Sequence, residues 1–505
     1  MGRDVPEGAR SALTHADSPL LGENPQIVLV ESHDRETKTA SGPQWAARAE
    51  GGLGPPMSAL NPKTLERTLG SWDLTLLVVG NVIGSGIFLV PASVLSQSGE
   101  SVGVAMAVWL VGGVLSLLGA MSYAELGGMD PGAGGLYAYI RDAFGPFLAF
   151  LYGWTLFFVI GGGTVATLAV AAANYLTQFA PMTPTAKGAV AFSLIVVMAV
   201  INVRGTRGSA SVQNFATGIK VFAILAMSTA LFLLGHGSRV PPVTLTAAPV
   251  SVRGIGLSLI SVLWAYEGWQ YVTFVAGEAK DPQRTIPRAI IRGTLMLIGI
   301  YLVANLAYLA ALGPARMAAS ERVAGEAVTQ AMGLGAGNAI ALAIVVSMYS
   351  AAHATVITVP RVYQAMAQDG LFFRKLAEVH PRYGTPAIAV AASCSWAAVL
   401  ALTGTFEQLL TYVVFIGWIF YALGAAAVIV LRVKRPDAER PFRVPGYPFT
   451  PALFVLAAAL IVLNTIVSQP VQSALGIGVV MLGAPAYLIW RRRLTAVMKG
   501  RRPVS

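Results

Sequence analysis

Two long apolar stretches of this chain are interrupted midway. The first, WDLTLLVVGNVIGSGIFLVP (72–91), has Gly84 to Gly86 near its centre, and the second is broken at LWAYEG (263–268). Glycine lowers the cost of unwinding a helix, and an unwound segment leaves N–H and C=O groups unpaired at membrane depth. Such groups are tolerated only where a ligand, an ion or water meets them, so the two breaks predict a binding site.

The chemistry that the breaks offer suits a zwitterion. N–H groups at the start of a half-helix attract a carboxylate, and carbonyl groups at the end of a half-helix attract an ammonium. Two interrupted spans in corresponding positions of two halves are typical of secondary transporters, whose substrates bind near the bilayer midplane. The alternative is a glycine groove that only lets two helices pack closely.

Two ionisable residues lie inside the apolar stretches. Lys220 lies about eleven residues into its run, which at ~1.5 Å per residue places it about 16 Å from the end of the helix. A bare ammonium in hydrocarbon is costly, so we expect Lys220 to face inward and either be paired or change its protonation state. Glu267 lies within the second break. Contact with a cationic substrate, proton coupling and a hydrogen bond to a backbone amide are all open for it.

Other polar residues mark helix ends or helix contacts. Charged residues at the ends of the apolar runs are expected to form gating or bracing ion pairs; they are Glu125, Glu278, Arg284, Arg288 and Arg361. Polar residues expected to hydrogen-bond between or within helices are His353, Asn202 and Asn214.

The composition is that of a polytopic membrane protein. The 505 residues are 55% hydrophobic and only 12% charged, about half the charge of a soluble domain. The net charge of +11 does not indicate nucleic-acid binding, because the basic residues fall in alternate loops, which is a signal of topology. The five histidines and the single Cys394 show no ligand spacing, so we predict no metal and no cofactor.

Twelve apolar runs long enough to span a bilayer follow a polar N-terminal segment. The charge bias of the loops predicts that both termini are cytoplasmic. Because the first and sixth runs are the broken ones, we predict two five-helix repeats of opposite orientation in an all-α membrane fold. The predicted segments are a disordered tail (1–70), the first repeat (71–235), the second repeat (253–433), two peripheral spans (449–490) and a basic tail (491–505).

Five motifs carry a family resemblance. They are NVIGSGIFLVPA (81–92), PGAGGLYAYIRDAFGP (131–146), NVRGTRGSASVQNFATGIKV (202–221), LWAYEGWQYVTFVAGEAKDPQRTIPRAI (263–290) and VPRVYQAMAQDG (359–370). Together, in order and at the expected spacing over about residues 70–440, they resemble the amino acid–polyamine–organocation family, and within it the bacterial relatives of the L-type amino acid transporters.

The resemblance implies roles for individual residues. Gly84, Ser85 and Gly86 would bind the substrate carboxylate, the carbonyls of Ile83, Trp264 and Ala265 would take the ammonium, and Trp264 would close over the substrate. Lys220 would occupy the region next to the first broken helix where sodium-coupled relatives hold an ion, so sodium dependence is not expected. It would either carry a proton there or brace that helix. Glu267 stands where the animal L-type transporters commonly have glycine. The full expected binding set is Ile83, Gly84, Ser85, Gly86, Ile87, Trp264, Ala265, Glu267 and Gly268, with Lys220 setting the coupling.

The function that follows is secondary transport of L-amino acids, small or medium and neutral, across the plasma (inner) membrane. Exchange and proton symport stay open, as do a cationic amino acid or polyamine carrier and a transporter-like sensor. A channel and an enzyme are not supported, because the runs lack a polar pore lining and a nucleophile with its base. The expected partners are the amino acid and the bilayer, with no nucleic acid and a monomeric or homodimeric chain. Residues 177–186 contain no cysteine, so no disulfide-linked accessory subunit is expected.

Overall fold

The computed structural model describes residues 67–132, 134–235, 251–403 and 406–499, and these residues are almost entirely helical. Of the N-terminal tail that the sequence predicts to be disordered (1–70), residues 1–66 lie outside the described residues, whereas Leu69 is buried and its backbone is hydrogen-bonded to Glu278 and Lys280. The last part of the basic C-terminal tail, 500–505, also lies outside the described residues.

The first half of the described chain forms eight α-helices. They are α1 (Ser71–Val82), α2 (Gly86–Gln97), α3 (Val102–Met129), α4 (Leu136–Phe144), α5 (Pro146–Thr155), α6 (Gly162–Leu176), α7 (Pro184–Val203) and α8 (Thr206–Leu234). A single π-helical turn, Leu156–Gly161, joins α5 to α6, so that the two form one long apolar rod.

The second half forms ten α-helices and two 3₁₀ segments. The helices are α9 (Val252–Ala265), α10 (Pro282–Leu312), α11 (Pro314–Ala318), α12 (Val323–Met332), α13 (Leu334–Thr358), α14 (Pro360–Gln368), α15 (Ala387–Thr403), α16 (Phe406–Lys434), α17 (Phe449–Ser468) and α18 (Pro470–Lys499). The 3₁₀ segments are Trp269–Glu278 and Arg374–Ala377.

Local sequence explains several helix starts. Thr183 accepts a hydrogen bond from the amide of Ala186 at 3.2 Å, and Pro184 follows it at the first helical position, where a missing N–H costs nothing. Ser251 caps α9 in the same way, through the amide of Gly254 at 3.0 Å. These polar caps place the ends of the apolar helices where the sequence becomes hydrophilic.

Nine helical segments of the described chain are long and apolar enough to cross a membrane, and the bent pair α1 and α2 makes a tenth. Helices α9 and α15 fall in the remaining predicted runs, but with 14 and 17 residues they are shorter than the ~20 residues that a complete span needs. The prediction of an all-helical, multi-pass membrane protein is confirmed. The count of twelve spans and the inverted repeat stay predictions.

Both predicted breaks are present in the backbone. Helix α1 ends at Val82 and α2 begins at Gly86, with a bend of 46° between them. Helix α9 ends at Ala265, and the chain turns at Gly268, whose φ of +120° only glycine adopts without strain, before the 3₁₀ segment begins.

The two breaks pack directly against each other. A Cβ atom added to Gly86 would lie 2.6 Å from the Cα of Ala265, and one added to Gly268 would lie 3.2 Å from the backbone carbonyl carbon of Asn81. The absence of side chains at these two glycines therefore lets the unwound segments approach to backbone contact.

Several predicted end charges form buried ion pairs. Arg361 donates to Glu278 at 2.8 Å, and each side chain is only 1% exposed. Glu125 accepts two hydrogen bonds from Arg432, at 2.8 and 2.6 Å.

Two other predicted end charges behave differently. Arg284 and Arg288 are exposed near the start of α10, and neither makes an ion pair with another described residue. Bracing pairs therefore form at three of the five positions that the sequence proposed.

The packing of the breaks leads to a prediction about Gly86. We expect Gly86→Ala to destabilise the protein by about 1–3 kcal/mol, because the new methyl group would overlap backbone atoms that have no room to move. Gly218→Ala is the matched control, since Gly218 is exposed in α8 and an added Cβ meets nothing within 4 Å.

Thermal unfolding of the two variants in detergent checks this prediction. A Gly86→Ala protein that unfolds at the same temperature as Gly218→Ala would contradict the backbone contact.

Candidate substrate site

The start of α2 presents free backbone donors. The amides of Ser85, Gly86 and Ile87 donate to no acceptor in the described part of the chain, and the hydroxyl of Ser85 is buried without a partner. The amide of Gly84 already donates to the carbonyl of Val82 at 2.8 Å. The donor set at this helix start is therefore Ser85 to Ile87, one residue further along than the glycine motif alone indicates.

Lys220 lies against the end of α1. Its Nζ donates to the carbonyl oxygens of Gly80 at 2.9 Å and Ile83 at 2.7 Å, and a third carbonyl, that of Ser347, lies at 3.5 Å. The side chain is 1% exposed. Three acceptors thus face the three N–H bonds of one ammonium, at a helix end where the backbone dipole favours a cation.

The carbonyls predicted to hold a substrate ammonium already have partners within the chain. Ile83 accepts from Lys220 and also from the hydroxyl of Ser347 at 3.2 Å, which engages both of its lone pairs. The carbonyl of Ala265 accepts from Tyr301 at 2.9 Å, and that of Trp264 accepts from the amide of Glu267 at 3.1 Å. The carbonyl of Ala265 retains one lone pair for a ligand, whereas that of Trp264 is also met by the amide of Tyr266.

Glu267 is held by two tyrosines. Its Oε1 accepts from the hydroxyl of Tyr421 at 2.6 Å and from that of Tyr271 at 3.5 Å. Its Oε2 is buried and has no hydrogen-bond partner among the described residues. The backbone-amide contact that the sequence left open for Glu267 is not formed.

One cavity connects these groups. Its empty space, including the mouth, is about 360 Å³. The lining residues are Asn81, Val82, Gly84, Ser85, Gly86, Thr164, Leu168, Trp264, Glu267, Gly268, Tyr271 and Thr355. Six of the nine predicted binding residues line it, and Ile83, Ile87 and Ala265 lie directly beside lining residues in the chain.

The sequence missed half of the residues that line the cavity. Thr164 and Leu168 come from α6 and Thr355 comes from α13, and these helices are unbroken where the residues occur. No local signal singles out such residues within a long apolar helix. Asn81 could have been found, because a polar side chain three residues before the Gly84 break is unusual in an apolar run.

Other predicted polar residues lie outside the cavity. His353 has its Nδ1 3.3 Å from Oε1 of Gln213, and it is not among the residues that line the cavity. Asn202 donates to the carbonyl of Met198 at 2.8 Å within its own helix. Asn214 donates to Asp73, which joins α8 to the start of α1.

Comparison with known proteins identifies relatives of this chain. The family model described as amino acid permease matches residues 69–489. The serine/threonine exchanger SteT of Bacillus subtilis (strain 168) is 30% identical over 432 residues, which cover 85% of this chain and 98% of SteT. The large neutral amino acids transporter small subunit 2 of Rattus norvegicus is 30% identical over 434 residues, covering 84% of this chain and 81% of that protein. The b(0,+)-type amino acid transporter 1 of Mus musculus is 30% identical over 420 residues, which cover 81% of this chain and 85% of that protein.

The contacts of Lys220 generate the second prediction. We expect Lys220→Met to lower the free energy of unfolding by about 1–3 kcal/mol, because it leaves the buried carbonyl of Gly80 without its donor. The first break should also lose its shape, so binding of ligand at Ser85 to Ile87 should weaken.

Lys375→Met is the control, since Lys375 is exposed on the surface. Unfolding temperature and ligand-induced thermal stabilisation are measured for both variants. The bracing role of Lys220 is wrong if both quantities match those of the control.

Proposed function

Since the chain belongs to the amino acid permease family, we propose that it is a secondary active transporter that carries L-amino acids across the membrane by alternating access. The relatives named above are transporters and exchangers, so the expectation that the chain is not an enzyme is confirmed. The observation that carries the proposal is the cavity at the meeting point of the two breaks, where free backbone donors and a buried acceptor face one space.

The amino acid binds through its own backbone groups. Its carboxylate accepts from the amides of Ser85, Gly86 and Ile87 at the positive end of α2. Its ammonium donates to the carbonyl of Ala265, which retains a lone pair, and lies beside the carbonyl of Trp264. The indole of Trp264, 7% exposed and part of the cavity wall, covers the substrate and separates it from one side of the membrane.

Small or medium neutral amino acids are the proposed substrates, and exchange is the proposed mode. The name of the bacterial relative, a serine/threonine exchanger, supports both. The contacts of Lys220 support exchange as well, because an ammonium that donates to backbone carbonyls is a fixed charge and needs no coupling ion. Proton symport is the second candidate, since Glu267 and Lys220 are both buried ionisable groups beside the site.

The proposal includes the topology. Twelve spans in an inverted five-plus-five arrangement lie in the plasma (inner) membrane with both termini cytoplasmic, as the basic loops favour. No disulfide-linked subunit is included, because Cys394 is 4% exposed and lies within a helix contact. The chain acts as a monomer or homodimer.

Uptake by proteoliposomes tests the proposal. We expect labelled L-serine or L-threonine to enter vesicles loaded with unlabelled amino acid much faster than empty vesicles, because an exchanger returns to its outward-facing state only with substrate bound. Replacing sodium by choline should leave the rate unchanged, since Lys220 holds the position beside Ile83.

The other outcomes are equally informative. Uptake into empty vesicles driven by an acidic exterior would replace exchange by proton symport. Uptake of lysine or agmatine in preference to neutral amino acids would make the chain a cationic amino acid or polyamine carrier. Binding of amino acids with no uptake would contradict transport and support a sensor.

A further inference from the structure

The two oxygens of the Glu267 carboxylate have different surroundings. Oε1 accepts from Tyr421 at 2.6 Å and from Tyr271 at 3.5 Å, whereas Oε2 is buried and finds no donor in the described chain. A distance of 2.6 Å is typical of a hydroxyl that donates to an ionised carboxylate. Oε1 of Glu267 therefore already accepts hydrogen bonds, and Oε2 is an acceptor without a donor among the described residues.

The hydrogen bonds from the two tyrosines to Oε1 hold the whole carboxylate, and therefore Oε2, in position. Tyr421 and Tyr271 are each 2% exposed, so neither hydroxyl can move away without disturbing the core. Tyr271 belongs to the 3₁₀ segment, which begins two residues after Glu267, and Tyr421 belongs to α16. The carboxylate is thus fixed between two elements, and the two tyrosines are positioning residues.

The described chain supplies no cation to balance this carboxylate inside the cavity. Glu267 is the one charged residue among the residues found to line it. The ammonium of Lys220 donates its hydrogen bonds to the carbonyls of Gly80, Ile83 and Ser347, and Lys220 is not among the residues that line the cavity. A buried acceptor left unpaired is costly, so the donor to Oε2 is expected to come from the ligand.

The position of Glu267 separates it from the groups that hold the amino acid backbone. Gly86 packs on Ala265, and Gly268 packs on Asn81, so the segment from Ala265 to Gly268 runs back along α1, away from the start of α2. The free amides lie at the start of α2. With its carboxylate at those amides and its ammonium at the carbonyl of Ala265, the bound amino acid has its side chain left to meet Glu267.

We propose that Oε2 of Glu267 accepts a hydrogen bond from the substrate's side chain, so that the site selects L-amino acids whose short side chain carries a donor. A hydroxyl and an ammonium share this chemistry. A short side chain is sufficient, because Ser85 and Gly86, which hold the carboxylate, line the same cavity as Glu267. The inference rests on the proposed function and names the substrate class of the same site.

The physical consequence is discrimination between isosteres. Valine has the shape of threonine but carries a methyl group in place of the hydroxyl, so its binding leaves Oε2 desolvated and unpaired. A hydrogen bond to a charged group implies a preference for threonine over valine of about ten-fold or more. Serine should exceed alanine for the same reason.

The test compares these pairs in proteoliposomes, first with the wild-type protein, which needs no variant to fold. The kcat/KM values for uptake are measured for threonine against valine, serine against alanine, and 2,3-diaminopropionate against 2-aminobutyrate. The first two pairs report a hydroxyl donor and the third reports an ammonium donor. We expect at least one kind of donor to be preferred by about ten-fold or more.

Variants then assign the preference to Glu267. Glu267→Leu removes the acceptor, so we expect threonine uptake to fall about ten-fold or more while valine uptake is unchanged or improved. Glu267→Gln keeps one acceptor oxygen and should restore part of the preference. Glu326→Leu, at an exposed position of α12, is the control and should leave the ratio unchanged.

Each contrary result has a distinct meaning. Equal wild-type rates within all three pairs would overturn the inference and leave amino acid transport intact. An equal loss of threonine and valine uptake in Glu267→Leu would place Glu267 on the shared ammonium or in the scaffold, and would also overturn it. If the wild-type protein neither binds nor transports any amino acid, the proposed function itself fails.

Discussion

The structure depends on how the broken helices satisfy their backbone groups where water is scarce. Each break frees both carbonyls and amides, and the protein treats the two kinds differently. The carbonyls at the end of α1 are taken by Lys220 and Ser347, while the amides at the start of α2 are left open. An unpaired amide in an apolar surrounding is costly, so binding of an anion to the free amides is favourable.

The two buried ionisable residues, Lys220 and Glu267, differ in how much of their hydrogen-bonding capacity the protein uses. Lys220 is bound entirely by backbone, so its charge stabilises the shape of the first break. Glu267 is bound by tyrosine hydroxyls through one oxygen only, so its charge stays partly available to a ligand. All the hydrogen bonds of the Lys220 ammonium are made within the protein, whereas one oxygen of the Glu267 carboxylate is left for the proposed contact with substrate.

The first and sixth segments are tied together beyond the site. The amide of Leu69 donates to the carbonyl of Glu278 at 3.0 Å, and the amide of Lys280 donates back to Leu69 at 2.8 Å. Together with the contact between Gly86, at the start of α2, and Ala265, at the end of α9, this pairing joins the two broken segments at two levels. The ion pair of Glu278 with Arg361 connects the same unit to α14. In the proposed alternating-access cycle, we expect these segments to move as one body.

The amino-acid sequence alone determined the class of the protein and the two backbone breaks that form its candidate site. Hydropathy and glycine placement are local properties, so the multi-pass fold, the two breaks and the inward lysine could be read without a structure. What only the tertiary structure decided is how the groups of different helices meet. The engaged carbonyl of Ile83, the tyrosines that hold Glu267, and the walls from Thr164 and Thr355 depend on distances between helices far apart in the chain. Such distances follow from the packing of many side chains at once, and no single stretch of sequence encodes them.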